Sequence, residues 1–161
     1  MKRIFESENI SFVEPSEELA ADYLLMVNDT ENVGRFFGYP HEPYTREDEI
    51  AWVRKKLAEK AAVFSMIEKK SGEFIGNIEF MNVQSGEGEL GIALTASKMN
   101  MGYGTEAVTA FVKYGREDLG LERIHLRTAP ANARAIRVYE KCGFREYDRT
   151  DVHVCMEYIP G

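Results

Sequence analysis

The stretch from Ala93 to Ala107 constrains the fold most, because an apolar strand runs through a glycine-containing turn directly into an amphipathic helix. Gly102 and Gly104 carry no Cβ, so the backbone there can turn tightly and approach a ligand closely. The first N–H groups of the following helix have no intrahelical partner, and the helix dipole adds positive character at that end. This pattern predicts an anion site, although Gly-Tyr-Gly before a helix is also found in ordinary loops.

A second segment, from Asn132 to Phe144, is predicted to be a short helix. Asn132 is a suitable N-cap, and Gly143 suits the C-terminal stop. On a helical wheel Ala135 and Tyr139 lie within about 60° and 20° of Asn132. One helix face therefore presents an amide, a small residue and a phenol over about 10 Å.

The alternation of helices and strands along the chain predicts an α/β domain with a mixed sheet. Predicted hairpins join Ala62–Glu68 to Phe74–Val83 and Phe144–Arg149 to His153–Ile159. The remaining predicted strands are Ile10–Val13, Gly88–Leu94 and Arg123–Thr128, and the predicted helices are Ser16–Asn28, Thr45–Lys60, Gly104–Arg116 and Asn132–Lys141. A length of 161 residues is typical of one domain, so we expect a single domain over residues 1–161.

Composition limits the partners. The net charge is −7, which argues against nucleic acid and is compatible with the attraction of cationic amines, although it also serves solubility alone. The N-terminal segment has no apolar core of signal-peptide length, and no run is long enough to span a membrane, so we expect a cytoplasmic protein with no membrane partner. The three histidines have no ligand spacing, so no metal site is expected, and Cys142 and Cys155 are expected to be buried thiols.

The two motif segments together resemble the acyl-coenzyme A binding half of the GCN5-related N-acetyltransferase (GNAT) superfamily, in its ribosomal-protein N-terminal acetyltransferase-like branch. The resemblance covers about residues 74–158. In the family's pyrophosphate loop, Gln/Arg-x-x-Gly-x-Gly/Ala, Gly102 and Gly104 match, while Met99 replaces the usual Gln or Arg and Asn100 a frequent glycine. The resemblance implies a mostly antiparallel sheet flanked by helices, with two splayed parallel strands at the cofactor cleft.

The resemblance also implies site residues for acetyl-coenzyme A, the expected cosubstrate. The thioester arm is expected beside Gly91–Leu94, where a backbone N–H of Ile92 or Leu94 would stabilise the oxyanion. Tyr139 matches the family's usual proton donor to sulfur. The cofactor-binding set implied is Ile92, Ala93, Leu94, Met99, Asn100, Met101, Gly102, Tyr103, Gly104, Thr105, Asn132, Ala135 and Tyr139, and Lys98, Arg134, Arg137 and Lys141 are further candidates for its phosphates.

The sequence offers two candidates for the general base and does not decide between them. Glu89 is the first choice, because it shares a strand face with Gly91 and lies near a catalytic glutamate position of some branches. Glu79 on the preceding strand is the second choice, and either carboxylate is as readily a solvated strand residue.

The expected function is acetyl transfer from acetyl-coenzyme A to a primary amine, either a protein N-terminus or a small amine. A non-catalytic acyl-coenzyme A binding or sensing module is the alternative. Residues 34–43 and the helix Thr45–Lys60 are expected to border the acceptor site, with Trp52 as a packing aromatic. A dinucleotide-binding domain is excluded because no Gly-x-Gly-x-x-Gly follows a first strand. A monomer and a homodimer are both compatible with the sequence.

Overall fold

The computed structural model describes residues 1–33 and 42–161 and contains a mixed eight-stranded sheet covered by helices. The strand order is β1-β2-β3-β4-β5-β6-β8-β7, and the pairing of β5 with β6 is parallel while the other pairings are antiparallel. The strands are β1 Arg3–Glu6, β2 Ile10–Val13, β3 Val63–Glu68, β4 Phe74–Gln84, β5 Glu87–Leu94, β6 Arg123–Thr128, β7 Phe144–Arg149 and β8 Val154–Tyr158. The helices are α1 Ala20–Val27, α2 Arg46–Glu59, α3 Tyr103–Glu117 and α4 Ala133–Lys141, with short 3₁₀ turns at Glu17–Leu19 and Ala96–Lys98. The α/β prediction with a mostly antiparallel sheet is confirmed.

The helix ends follow from side-chain capping. At the start of α2 the Thr45 hydroxyl accepts from the backbone N–H of Asp48 at 3.2 Å, and the Asp48 carboxylate accepts from the backbone N–H of Thr45 at 2.8 Å. This capping box satisfies two donors that the first helical turn leaves free, and it confirms the predicted start of the helix. The helix expected from Ser16 begins instead as a 3₁₀ turn, which Ser16 caps, and becomes α-helical at Ala20.

Two apolar clusters stabilise the fold. The larger packs α3 and α4 on the sheet, and the smaller lies under α1 and α2. Because side chains alternate along a strand, β3 supplies Phe64 and Met66 to the larger cluster and Ile67 to the smaller.

Strand β1 is not evident from the sequence, since it contains only four residues, two of them charged. It is a strand because β2 provides its antiparallel partner and because Phe5 stacks on Phe12 and Tyr114 at ring-centroid distances of 4.2 and 4.3 Å. The two cysteines, expected to be buried, are free and half-buried.

Candidate active site

The strands β5 and β6 separate at the centre of the sheet. Within the described parts of the chain they pair only over Glu87–Glu89 and Arg123–His125. Beyond that point β5 stays paired with β4 as far as Leu94, while β6 stays paired with β8 as far as Thr128. The last residues of β5 therefore present backbone groups toward a cleft where a neighbouring strand would otherwise be, as the resemblance implies.

The loop before α3 closes one side of this cleft. Gly102 is the helix N-cap with φ of 87°, and Asn100 has φ of 59°, so two left-handed residues direct the chain into the helix. In the described structure the backbone N–H groups from Gly102 to Thr105 have no protein acceptor. They form a set of free donors at a helix N-terminus, which suits a phosphate group.

A cavity of about 410 Å³ joins the loop, the cleft and α4. Its volume lies within the range of small-molecule sites. Eleven of the thirteen predicted cofactor-binding residues line it: Ile92, Ala93, Leu94, Met99, Asn100, Gly102, Gly104, Thr105, Asn132, Ala135 and Tyr139.

Met101 and Tyr103 are the two predicted residues that do not line the cavity. Met101 is 52% exposed. The Tyr103 phenol points into the core and donates a hydrogen bond to the buried Glu68 carboxylate. Their predicted role in cofactor binding therefore depends on their backbone groups.

The structure argues against the predicted contact between Lys98 and the cofactor's phosphates. Its ammonium is buried and lies 3.3 Å from a Glu68 oxygen and 2.9 Å from a Glu73 oxygen. An ammonium held by two carboxylates in this way is unavailable to the cofactor's phosphates. This cluster cannot be predicted from local sequence patterns, because Glu68 and Lys98 are 30 residues apart.

The other three predicted basic residues, Arg134, Arg137 and Lys141, line the cavity from α4. Arg134 places a guanidinium nitrogen 3.3 Å from the Met99 sulfur. A cation from α4 therefore stands beside Met99, the loop position where the family usually has Gln or Arg.

Helix α4 brings Asn132 and Tyr139 to the same cavity. Asn132 is the N-cap, and its carbonyl oxygen accepts from the backbone N–H of Ala135 at 3.3 Å. Its NH₂ group is then the end left for a ligand. Tyr139 lies two turns further along α4, and burial raises the pKa of its phenol to about 12. The phenol therefore stays protonated at neutral pH and is competent as a hydrogen-bond or proton donor.

A second cavity of about 1000 Å³ adjoins the first, and Tyr139, Asn132, Ile92 and Ala93 line both. The second cavity lies between β4, β5 and the face of α2. Two adjoining cavities with a phenol at their junction can hold an acyl donor on one side and an acceptor on the other.

The two candidate bases differ in their surroundings. Glu79 lines the second cavity and pairs across β4 and β5 with Gly91. A Cβ on Gly91 would lie 3.0 Å from the Met81 methyl carbon and 3.7 Å from the Glu79 side chain, so the glycine leaves Glu79 open toward the cleft. Burial raises the pKa of Glu79; the positive charge of Lys56 opposes that rise, and the charge of Glu89 adds to it.

Glu89, the first choice from sequence, lines neither cavity. Its carboxylate lies 3.5 Å from the Arg127 guanidinium, and its side chain is 12% exposed. Strand alternation places Glu89 and Gly91 on one face of β5. The Glu89 carboxylate, however, forms an ion pair with Arg127 on the neighbouring strand β6.

The expected borders of the acceptor site are met in part. Residues 34–41 lie outside the described residues, whereas Pro43 and one face of α2 line the second cavity. Trp52 packs edge-on against Tyr23 at a centroid distance of 5.4 Å, and it also lines the cavity. Glu49, which lines this cavity from the first turn of α2, was not predicted from the sequence. Neither were Asn32 and Val33, which line the first cavity.

The described part of the chain contains neither a cluster of potential metal ligands nor a membrane-spanning helix. Over residues 1–33 and 42–161, no group of three or more His, Cys, Asp or Glu side chains is placed to hold a metal ion. None of the helices within those ranges combines the length and the apolar character that a membrane span requires.

The splayed parallel strand pair, the helix N-terminus with free donors and the buried Tyr139 side chain between two cavities meet in one candidate site. A family model for the acetyltransferase (GNAT) domain matches residues 9–145, so the chain belongs to the GNAT acetyltransferase family.

Relatives support this assignment. The chain is 33% identical over 108 residues to "Uncharacterized N-acetyltransferase YnaD" of Bacillus subtilis, a match that covers 66% of this chain and 63% of that protein. It is 26% identical over 108 residues to spermidine N(1)-acetyltransferase of Vibrio cholerae, with 65% of this chain and 62% of that protein covered. The matched segments thus span less than two thirds of the length of these relatives.

Solved structures share the fold. An acetyltransferase (GNAT family) from Bacillus anthracis superposes with a TM-score of 0.80 at 23% identity, covering 94% of this chain and 93% of that one. Spermidine N-acetyltransferase from Vibrio cholerae, in complex with CoA and spermine, superposes with a TM-score of 0.81 at 19% identity, covering 95% and 96%.

Proposed function

We propose that this chain transfers the acetyl group of acetyl-coenzyme A to a primary amine. The observation that carries the proposal is the position of Tyr139, buried at the junction of the cavity of about 410 Å³ and the second, larger cavity. A phenol at this junction can serve the leaving sulfur while the amine enters from the other side.

The proposed cofactor binding uses the free donors of the α3 N-terminus for the pyrophosphate and the open edge of β5 for the pantetheine arm. Asn132 supplies an amide to that arm, and Arg134, Arg137 and Lys141 supply positive charge at the cavity rim.

The proposed reaction is a direct transfer of the acetyl group from sulfur to nitrogen. The neutral amine attacks the thioester carbonyl, a C–N bond forms and the C–S bond breaks. A backbone N–H of Ile92 or Leu94 stabilises the oxyanion, and Tyr139 donates its proton to the departing thiolate. The amine's proton passes to Glu79, directly or through water.

Glu79 is preferred over Glu89 as the base because it lines the acceptor cavity without an ion pair among the described residues. The need for a base depends on the amine. At pH 7 an amine with a pKa of about 10.4 costs about 4.6 kcal/mol to deprotonate, whereas an α-amine with a pKa of about 7.7 costs about 1 kcal/mol.

The acceptor is a protein N-terminus or a small amine. The ribosomal-protein branch resemblance supports the former, and the relative named spermidine N(1)-acetyltransferase supports the latter. The acidic lining of the second cavity supports a cationic acceptor in either case.

A non-catalytic acyl-coenzyme A binding module is the second candidate, favoured by the apolar Met99 in the loop. One experiment separates the two candidate functions. Purified protein is titrated with acetyl-coenzyme A, and thiol release is then followed as a panel of amines and short peptides is added. Amine-dependent thiol release supports the enzyme, and binding without release from any acceptor supports the module. Absence of binding contradicts both.

A further inference from the structure

Glu49 is a buried carboxylate that the proposed reaction does not use. It lies in the first turn of α2, is 7% exposed and lines the second cavity. Among the described residues its side chain makes no hydrogen bond or ion pair. Burial raises its pKa, and the neighbouring Asp48 charge adds to the effect. A carboxylate in this state is costly to keep charged without a cation beside it.

The cations of the same cavity are already partnered. Lys55 lies 4.0 Å from Glu59, and Arg127 lies 3.5 Å from Glu89. Neither ion pair includes Glu49, so its carboxylate remains available to a positive charge that a ligand brings into the cavity.

We propose that Glu49 binds a second ammonium group of the acceptor, so that the preferred substrate is a small diamine. This inference rests on the proposed acetyl transfer. One ammonium would reach Glu79 and the thioester, and the other would reach Glu49 across the same cavity. Trp52 lies three residues from Glu49 on α2 and also lines the cavity, which gives the methylene chain between the two charges an apolar surface.

The measurement is the ratio of kcat/KM for a diamine to that for a monoamine of matched chain length. Probes are α,ω-diamines of three to eight methylenes and the corresponding n-alkylamines, with acetyl-coenzyme A saturating. We expect wild type to favour the best diamine. Glu49→Gln should lower the ratio about tenfold, mainly through the KM of the diamine, because a charge-assisted contact is lost.

Glu47→Gln is the matched control, since Glu47 lies in the same turn of α2, carries the same charge and is exposed outside both cavities. It should leave the ratio within twofold of wild type. Acetyl-coenzyme A affinity and melting temperature, measured for both variants, report any general loss of folding.

Four results separate a failure of the Glu49 role from a failure of the proposed function. An unchanged ratio in Glu49→Gln, or an equal change in Glu47→Gln, overturns the role of Glu49 while acetyl transfer stands. Faster transfer to a short peptide N-terminus than to every diamine also overturns it. Absence of thiol release with any amine or peptide overturns the proposed function itself.

Discussion

At the scale of single residues the account depends most on Tyr139. Its phenol borders both cavities and is protonated at neutral pH because burial raises its pKa to about 12. In the proposed reaction the Tyr139 hydroxyl acts on the leaving sulfur. A variant that lacks this hydroxyl therefore tests the chemical step separately from cofactor binding.

Tyr139→Phe should lower kcat about a hundredfold, the lower end of what general acid catalysis contributes, because the thiolate then leaves without a proton donor. Acetyl-coenzyme A affinity should change less than threefold, since the ring remains. Steady-state kinetics and a binding titration measure the two effects. Tyr114→Phe, in the aromatic cluster outside both cavities, is the control. A Tyr139→Phe enzyme with wild-type kcat would refute this role.

Glu79 should show itself in the pH dependence of kcat. A general base works only when ionised, so a raised pKa makes activity fall at a higher pH than an ordinary glutamate with a pKa of about 4.3 would. Glu79→Gln should lower kcat about a hundredfold for an amine of high pKa and remove this acidic limb. Glu89→Gln should lower kcat less than threefold. The opposite ranking of the two variants would return the base to Glu89.

At the scale of elements the loop before α3 is the most informative segment, since its backbone conformation sets the direction of the free N–H donors. Gly102 has φ of 87°, and a Cβ there would meet nothing within 4 Å. Any cost of a side chain at this position therefore comes from the backbone conformation.

Gly102→Ala should lower the free energy of unfolding by about 1–2 kcal/mol, because an L-residue is strained in the left-handed region. It should also weaken acetyl-coenzyme A binding at least tenfold as the donors shift. Gly120→Ala is a matched control beyond the other end of α3, where φ is 67° and a Cβ would also be free of contacts. It should show the same loss of stability with unchanged affinity. Equal affinity losses, measured by titration beside denaturant unfolding, would mean that the loop does not bind the cofactor.

At the scale of the whole molecule the buried cluster around Glu68 connects the end of β3 to the start of α3. Hydrogen bonds from Ser71, Tyr103 and Lys98 hold the pKa of Glu68 at about 2, below its ordinary value. A lowered folded-state pKa stabilises the protein above the pKa of the unfolded chain, about 4.3, and that contribution is lost as the pH falls toward about 2.

Wild type should therefore lose stability between about pH 4.3 and 2, and Glu68→Gln should lose less over that window, starting from a lower value at pH 7. Urea unfolding at several pH values measures the difference, which should shrink on acidification. Glu8→Gln, at an exposed position, should follow wild type. A constant difference between Glu68→Gln and wild type across the window would contradict the proposed charge state.

Much of the architecture follows from local pattern. Strand β6 was predicted with its observed bounds, and α4 and the capping box of α2 follow from short-range residue choices. Strand β1 escaped prediction because its partner and the Phe5 stacking come from distant parts of the chain.

The site divides in the same way. Gly102, Asn132 and Tyr139, which backbone conformation and helix spacing single out, line one cavity, because these positions depend on local geometry. The roles of the charged residues are harder to predict from the sequence. Lys98 is neutralised by Glu68 and Glu73, and Glu89 is held by Arg127, through tertiary contacts that strand and helix periodicity do not encode.

A crystal structure of the protein with bound coenzyme A tests the central claim most directly. The account predicts the pyrophosphate on the backbone N–H groups of residues 102–105, the pantetheine arm along the open edge of β5, and the sulfur within hydrogen-bond reach of the Tyr139 hydroxyl. A cofactor bound elsewhere, or a sulfur remote from Tyr139, would contradict it.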